Sequence, residues 1–245
     1  MEPYIVDVDN LTIRFNMASE KVDNLKEYAI KLIKKELKFK EFLALQDVSL
    51  KVKRGESWAL IGVNGSGKST LLKAVSGILK PYKGSVTVRG EIAPLIELGA
   101  GFDANMTARE NIYLNGTVLG HSKKYMDKHF DEIVDFAELW NFLDTPIKNF
   151  SSGMKARLGF SVATMVSSDV LIVDEILAVG DFLFRKKCMD RMNTMLNDGT
   201  TLLFVSHNIE DVSRLCDHAL WLDHGRTKMA GNVENVCKAY RNHNK

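Results

Sequence analysis

One stretch of the chain combines glycines, a lysine and hydroxyl residues at a spacing suited to holding phosphate. It reads Gly62-Val63-Asn64-Gly65-Ser66-Gly67-Lys68-Ser69-Thr70 and fits the pattern G-x-x-x-x-G-K-[ST]. Glycines let backbone N–H groups close around phosphate oxygens, and a helix that begins there adds its positive end. Lys68 would then reach the β- and γ-phosphates of a nucleotide, and the Ser69 hydroxyl would ligate Mg²⁺. The alternative is an ordinary glycine-rich loop.

Two adjacent carboxylates could supply the metal ligand and the base that a phosphate-binding loop needs for hydrolysis. Asp174 and Glu175 follow the apolar run Val170-Leu171-Ile172-Val173. Asp174 is the candidate for holding the metal ion. Glu175 would point to the other side of the strand, because strand side chains alternate, and it is the candidate base that activates the attacking water. Taken alone, the pair would also suit a simple cap for the next helix.

The elements around these residues predict an α/β fold. Short apolar runs alternate with helical patterns, which argues for a parallel sheet covered by helices. Continuous rather than alternating apolar character is typical of strands buried on both faces. The predicted strand and helix pairs are 57–61 with 69–77, 170–173 with 182–196, and 201–205 with 209–215.

Two regions depart from this alternation. Residues of about 100–167 show helical spacing without strand signals, which predicts a helical subdomain inserted into the sheet domain. Residues of about 19–41 are lysine-rich and favour a helix, with an apolar stripe of about three turns. We expect either an amphipathic helix at the membrane surface or a solvated surface helix without a partner. The whole chain, 1–245, is expected to form one nucleotide-binding domain.

Net charge, cysteine spacing and hydropathy each argue against one class of protein. The formal net charge is +2 over 245 residues, so no global positive field would draw the chain to nucleic acid. The three cysteines lack Cys-x-x-Cys spacing, which disfavours a zinc site or a disulfide framework. No run of about 18 uncharged apolar residues is present. We therefore expect a cytosolic protein that reaches a membrane only through a partner.

Further motifs occur along the chain in an order that resembles one known protein family. Phe150-Ser151-Ser152-Gly153-Met154 resembles the Leu-Ser-Gly-Gly-Gln signature of ABC-type ATPases and precedes the Asp174 strand. Ala178-Val179-Gly180-Asp181 resembles the D-loop of that family, and Val205-Ser206-His207 its switch-histidine segment. The alternatives without a catalytic role are that the serines only cap a helix and that the histidine is structural. The resemblance covers nearly the whole chain and implies a P-loop fold with a mostly parallel sheet, an antiparallel β part and a helical insertion.

The resemblance also implies roles for individual residues. Amides of the signature segment would bind the γ-phosphate of ATP held by a second subunit, giving a head-to-tail homodimer with two ATP molecules. His207 would contact the γ-phosphate, and Asp181 would couple the two sites. Phe15 occupies the position of the aromatic that stacks on adenine. The usual glutamine before the helical subdomain is missing, which leaves Glu97 as the nearest polar candidate for its metal or water contact.

Segments 93–102, 108–112 and 151–157 narrow the resemblance to ATPases that export O-antigen, teichoic acid or capsule. That subfamily implies a membrane-spanning permease as partner, a lipid-linked polysaccharide as cargo, and a peripheral location on the cytoplasmic side of the membrane. One alternative is a soluble ABC ATPase acting on ribosomes or chromosomes. A metabolite kinase with the same loop is a third, and the signature segment argues against it.

Overall fold

The fold is described here from a computed structural model, which covers residues 4–18, 39–95, 101–165, 168–174, 181–206 and 208–243. It contains two sheets, a set of covering helices and a helical region. The strands are β1 Val6–Ala18, β2 Phe39–Val52, β3 Ser57–Ile61, β4 Lys83–Val88, β5 Ile92–Leu95, β6 Val170–Asp174, β7 Thr201–Val205, β8 His218–Asp223 and β9 Arg226–Asn232. The helices are α1 Lys68–Val75, α2 Ala108–Val118, α3 Lys123–Ala137, α4 Ser152–Met165, α5 Phe182–Asn197, α6 Ile209–Leu215 and α7 Val233–His243.

The larger sheet has the strand order β5-β6-β7-β3-β8-β9. All its neighbouring pairs are parallel except β8 with β9. Strands β3 and β7 are buried along their whole length, as expected for central strands covered on both faces. The carboxyl ends of β3, β6 and β7 therefore meet at one edge of the sheet, where ligands of such folds bind.

Side chains of this sheet alternate between two apolar cores. Ala59 and Ile61 pack with helices α5 to α7 on one face. Trp58 and Leu60 pack with α1 and the smaller sheet on the other face. This period of two is what a strand imposes on its side chains, and it explains why all five residues of Ser57–Ile61 are buried.

The smaller sheet is antiparallel, with the order β2-β1-β4. Strands β1 and β2 form a long hairpin whose register continues to the pair Ala18 and Phe39. Residues 39–41, which the sequence placed at the end of the lysine-rich insertion, thus belong to β2, because they pair with the end of β1. The remainder of that insertion, 19–38, lies outside the described residues.

Residues 101–165 contain α2, α3 and α4, with 3₁₀ turns at Trp140–Phe142 and Ile147–Asn149. They enclose a third apolar core that includes Ile112, Ile133 and Leu158. Helix α2 begins at a capping box, in which the Thr107 hydroxyl and the Glu110 carboxylate each accept from the other residue's backbone. The sequence-based fold class, a mostly parallel sheet with an antiparallel part, is confirmed. Within the described residues, no helix has the length and apolar character needed to cross a bilayer.

Candidate nucleotide site

The glycine-rich loop joins β3 to α1, and close backbone packing fixes its shape. Gly62 has φ 147°, and a Cβ there would lie 2.2 Å from the Leu222 carbonyl oxygen. Gly67 has φ 106°, and a Cβ there would lie 2.6 Å from the Leu45 side chain. Both positions require glycine, because a side chain would force neighbouring groups apart. Beside Gly65, in contrast, no atom of the described residues lies within 4 Å of an added Cβ, so this part of the structure leaves open space above the loop.

Lys68 is held inside this loop. Its side chain is buried, and its ammonium donates hydrogen bonds to the carbonyl oxygens of Gly62 at 2.8 Å and Val63 at 3.0 Å. These bonds tie a positive charge to the loop's backbone, in the position expected of a phosphate ligand. Ser66 Oγ is buried in the same loop and has no hydrogen-bond partner among the described residues.

Ser69 and Asp174 meet at the carboxyl edge of the sheet. The Ser69 hydroxyl donates to Asp174 Oδ2 at 3.0 Å, although the residues are 105 positions apart. Ser69 lies in the first turn of α1, and Asp174 is the last residue of β6. A hydroxyl and a carboxylate are oxygen ligands of the kind that Mg²⁺ prefers. The structure thus brings together two of the three side chains that the sequence assigned to the metal ion, while the third, Glu97, lies outside the described residues.

A cavity of about 660 Å³ joins these groups to the β1–β2 hairpin. Its lining residues are Phe15, Phe42, Ala44, Asn64, Gly65, Gly67, Lys68, Ser69, Thr70 and Asp174. One end is polar and contains the phosphate loop, and the other end is aromatic. Such a volume is typical of small-molecule sites, about 300–1,000 Å³. The groups present, a cationic amine, loop amides, oxygen ligands and aromatic faces, fit a nucleotide with a metal ion.

Phe42 is a lining residue that the sequence reasoning missed. It lies directly opposite Phe15 in the hairpin register. Only the pairing of β1 with β2 reveals this, because 27 positions separate the two residues and residues 19–38 come between the strands. The run Phe42-Leu43-Ala44-Leu45 is continuously apolar, so no alternating pattern marks the face on which Phe42 lies.

The signature segment lies at the start of α4, within the helical region. Ser151 Oγ accepts a hydrogen bond from the Met154 backbone N–H at 3.2 Å, as a helix-capping hydroxyl does. Ser151 and Ser152 are exposed, and Gly153 and Met154 are partly exposed. The phosphate cavity of the same chain is not lined by any of these four residues. Their open position leaves this helix start accessible from outside the chain.

Asp181 is the N-cap residue of α5, and its carboxylate has two partners. Its carboxylate caps the helix by accepting from the Phe184 backbone N–H at 2.9 Å, and it forms an ion pair with Arg157 of α4. The Phe184 N–H and then the Arg157 guanidinium hold the pKa of Asp181 below its usual range. Arg157 also pairs with Glu138 at 2.5 Å and lies 4.7 Å from the Phe184 ring centre. Arg157 therefore connects α4, the end of α3 and the start of α5.

Three predicted residues lie outside the described part of the chain. They are Glu97, Glu175 and His207. Their described neighbours fix where the chain enters each segment: Asp174 precedes Glu175, and β7 ends at Val205, two residues before His207. Both strand ends lie at the edge of the sheet that carries the phosphate loop. The catalytic roles of these residues stay predictions.

Comparison with known proteins gives a consistent result. The profile of a family described as "ABC transporter" matches residues 45–178. The chain is 48% identical over 205 residues to "O-antigen export system ATP-binding protein RfbB" of Klebsiella pneumoniae, covering 84% of this chain and 83% of that protein. It is 41% identical to "Teichoic acids export ATP-binding protein TagH" of Levilactobacillus brevis, covering 97% of this chain but 65% of that longer protein.

Solved structures show the same fold at lower identity. One, described as the ATP-binding subunit of an ABC transporter, has a TM-score of 0.77 at 23% identity and covers 96% of this chain and 93% of its own. Another is a dimeric post-hydrolysis state of the ATP-binding cassette MJ0796 with ADP and Pi. Its TM-score is 0.74 at 22% identity, covering 93% of this chain and 98% of its own.

Proposed function

The chain belongs to the ABC transporter family, and from that membership we propose that it is the ATP-hydrolysing subunit of an exporter for a lipid-linked cell-surface polysaccharide. The catalytic part of this proposal rests on one observation. Buried Lys68 and the Ser69–Asp174 pair line the same cavity. The export part rests on relatives named for O-antigen and teichoic acid export at 48% and 41% identity.

In the proposed reaction the protein positions ATP and stabilises charge. Lys68 and the loop amides bind the β- and γ-phosphates, and the N-terminus of α1 adds its positive end. Ser69 and Asp174 would hold Mg²⁺, and the bound ion would supply positive charge beside the phosphate oxygens. Glu175 accepts a proton from the attacking water, while His207 contacts the γ-phosphate. Glu97 is assigned the contact that a glutamine usually makes in this family.

A second copy of the chain completes each site in this proposal. Ser151, Ser152, Gly153 and Met154 would bind the γ-phosphate held by the partner, because a helix N-terminus binds anions. Asp181 would link the two sites. Phe182 and Leu183, directly after Asp181, are 80% and 75% exposed. Large apolar side chains at that exposure suit a surface that a second subunit covers.

The proposed partner for transport is a membrane-spanning permease, with this chain bound at the cytoplasmic side. Co-expression with the permease encoded nearest to this chain, followed by purification in detergent, should recover both proteins in one complex. Co-sedimentation with ribosomes instead of membranes would favour the alternative of a soluble ABC ATPase.

The decisive catalytic test is Glu175→Gln. A neutral amide cannot serve as base, so turnover should fall by about 10²–10⁴-fold while ATP affinity stays within about twofold of wild type. The variant should form an ATP-dependent dimer that persists, as measured by light scattering during gel filtration. Glu210→Gln, which changes an exposed carboxylate on α6, is the matched control and should keep wild-type turnover. Wild-type turnover in Glu175→Gln would remove Glu175 from the mechanism.

A further inference from the structure

Among the described residues, two aromatic rings line the nucleotide cavity, not one. Phe15 of β1 and Phe42 of β2 are direct partners in the antiparallel register. Opposed residues in such a ladder have Cβ atoms about 4.5–5.5 Å apart and point to the same face. Both rings line the cavity that contains Lys68 and Ser69. The hairpin therefore presents a pair of adjacent aromatic side chains to the space above the phosphate loop.

These rings are unusually exposed for their type. Phe15 is 37% and Phe42 47% exposed, whereas most large apolar side chains of the hairpin, such as Leu11 and Leu45, are fully buried. The opposite face of the same strand ends is already engaged. There Arg14 pairs with Glu41 at 2.6 Å and lies over the Tyr82 ring at 3.9 Å. The aromatic pair is thus left for whatever fills the cavity.

The cavity has a polar end and an aromatic end. A nucleoside triphosphate has the matching arrangement, with charged phosphates at one end and a flat base at the other. Flat bases stack on aromatic side chains whatever their hydrogen-bonding edges are. One phenyl ring can cover one six-membered ring, and two rings on neighbouring strands offer a wider apolar wall. A bicyclic purine covers more of that wall than a pyrimidine does.

We propose that Phe42 is a direct base-contacting residue, which together with Phe15 forms a two-ring wall that selects purine over pyrimidine nucleotides. This assignment rests on the proposed function, because it requires a nucleotide in the cavity. Stacking of one base on an aromatic side chain corresponds to roughly 5- to 150-fold in affinity. Loss of Phe42 should therefore weaken ATP binding by about tenfold and leave the phosphate contacts intact.

The test compares ATP, CTP and inorganic tripolyphosphate by titration calorimetry on the full chain with Mg²⁺. Tripolyphosphate isolates the phosphate loop, because it has no base. Phe42→Ala should weaken ATP about tenfold, reduce the preference for ATP over CTP, and change tripolyphosphate affinity less than twofold. Leu43→Ala is the matched control, since Leu43 is the next residue on β2, is 38% exposed and points to the other face. It should change none of the three affinities.

Conservative variants separate ring stacking from apolar volume. Phe42→Tyr should keep wild-type ATP affinity, and Phe42→Leu should lose it, because leucine has volume without an aromatic face. Wild-type ATP affinity in Phe42→Leu would overturn the role of Phe42, even if Phe42→Ala disturbed folding. Equal losses for ATP and tripolyphosphate in Phe42→Leu would also overturn it. A wild-type chain that binds neither ATP nor tripolyphosphate would instead overturn the proposed function itself.

Discussion

The phosphate loop and the signature segment both lie at the start of a helix, yet they are built in opposite ways. Lys68 is 6% exposed and bonded to two loop carbonyls, and Gly67 fits tightly against β2. Ser151 is exposed, and the nearest described atom to a Cβ added at Gly153 is Ser151 Oγ at 3.8 Å, an ordinary van der Waals distance. The first region is assembled entirely within one chain. The second offers a helix N-terminus to the outside, which suggests that its ligand arrives on another molecule.

This contrast predicts that the phosphate loop is the more sensitive region. Lys68→Ala should weaken ATP binding on the order of 100-fold, because a charge-assisted contact contributes about 1.5–3 kcal/mol or more. Titration calorimetry measures the loss directly. Lys124→Ala removes an exposed lysine from α3 and should bind ATP as the wild type does. Unchanged affinity in Lys68→Ala would place the nucleotide elsewhere.

Ser151→Arg should show the opposite behaviour. Its exposed position tolerates a large side chain, so each subunit should fold and bind ATP within about twofold of wild type. The arginine would fill the site for the partner's phosphate, so ATP-dependent dimers should disappear. Light scattering of gel-filtered protein, in a Glu175→Gln background that prevents hydrolysis, measures the dimer fraction.

Mixing Ser151→Arg subunits with Lys68→Ala subunits sharpens the contrast. In a head-to-tail pair, Lys68 of the first variant faces the intact Ser151 of the second, so one composite site is restored. We expect pairing in the mixture, with about one ATP per dimer, where neither variant pairs alone. If the mixture also stays monomeric, the two regions do not face each other across subunits.

The smallest expected effect concerns Asp181, which Arg157 links to α4, the helix that begins in the signature segment. Its folded-state pKa is lowered, so its contribution to stability is present above the ordinary pKa of aspartate and is lost as the pH falls through the lowered value. At pH 7, Asp181→Asn should lower Tm by about 1–3 °C. Below about pH 4 the difference should shrink toward zero. Asp144→Asn, which breaks an exposed ion pair with Arg109, is the control and should show a smaller difference at both pH values.

The sequence predicted the elements that carry strong local signals. The strands at 57–61 and 201–205 appear with those bounds because the last four residues of each form a continuous apolar run. The meeting of Ser69 with Asp174 was also predictable, since parallel strands end at a common edge. The roles of Phe42 and Arg157 could not be predicted from local sequence signals. Each acts through a partner distant in sequence, Phe15 in one case and Asp181 in the other, and only strand register or helix packing reveals such pairs.

The link made by Arg157 limits how this chain could be recombined with its relatives. Residues 101–165 look like an exchangeable module, with their own apolar core. Arg157 nevertheless leaves that module to bind Asp181, outside it, while Glu138 binds Arg157 from within. A hybrid of this chain that imports the module from another cassette would keep Asp181 but replace Arg157 with whatever residue the donor has at that position. A functional hybrid should therefore require the exchanged segment to extend through Asp181, so that both residues of the ion pair come from the same protein.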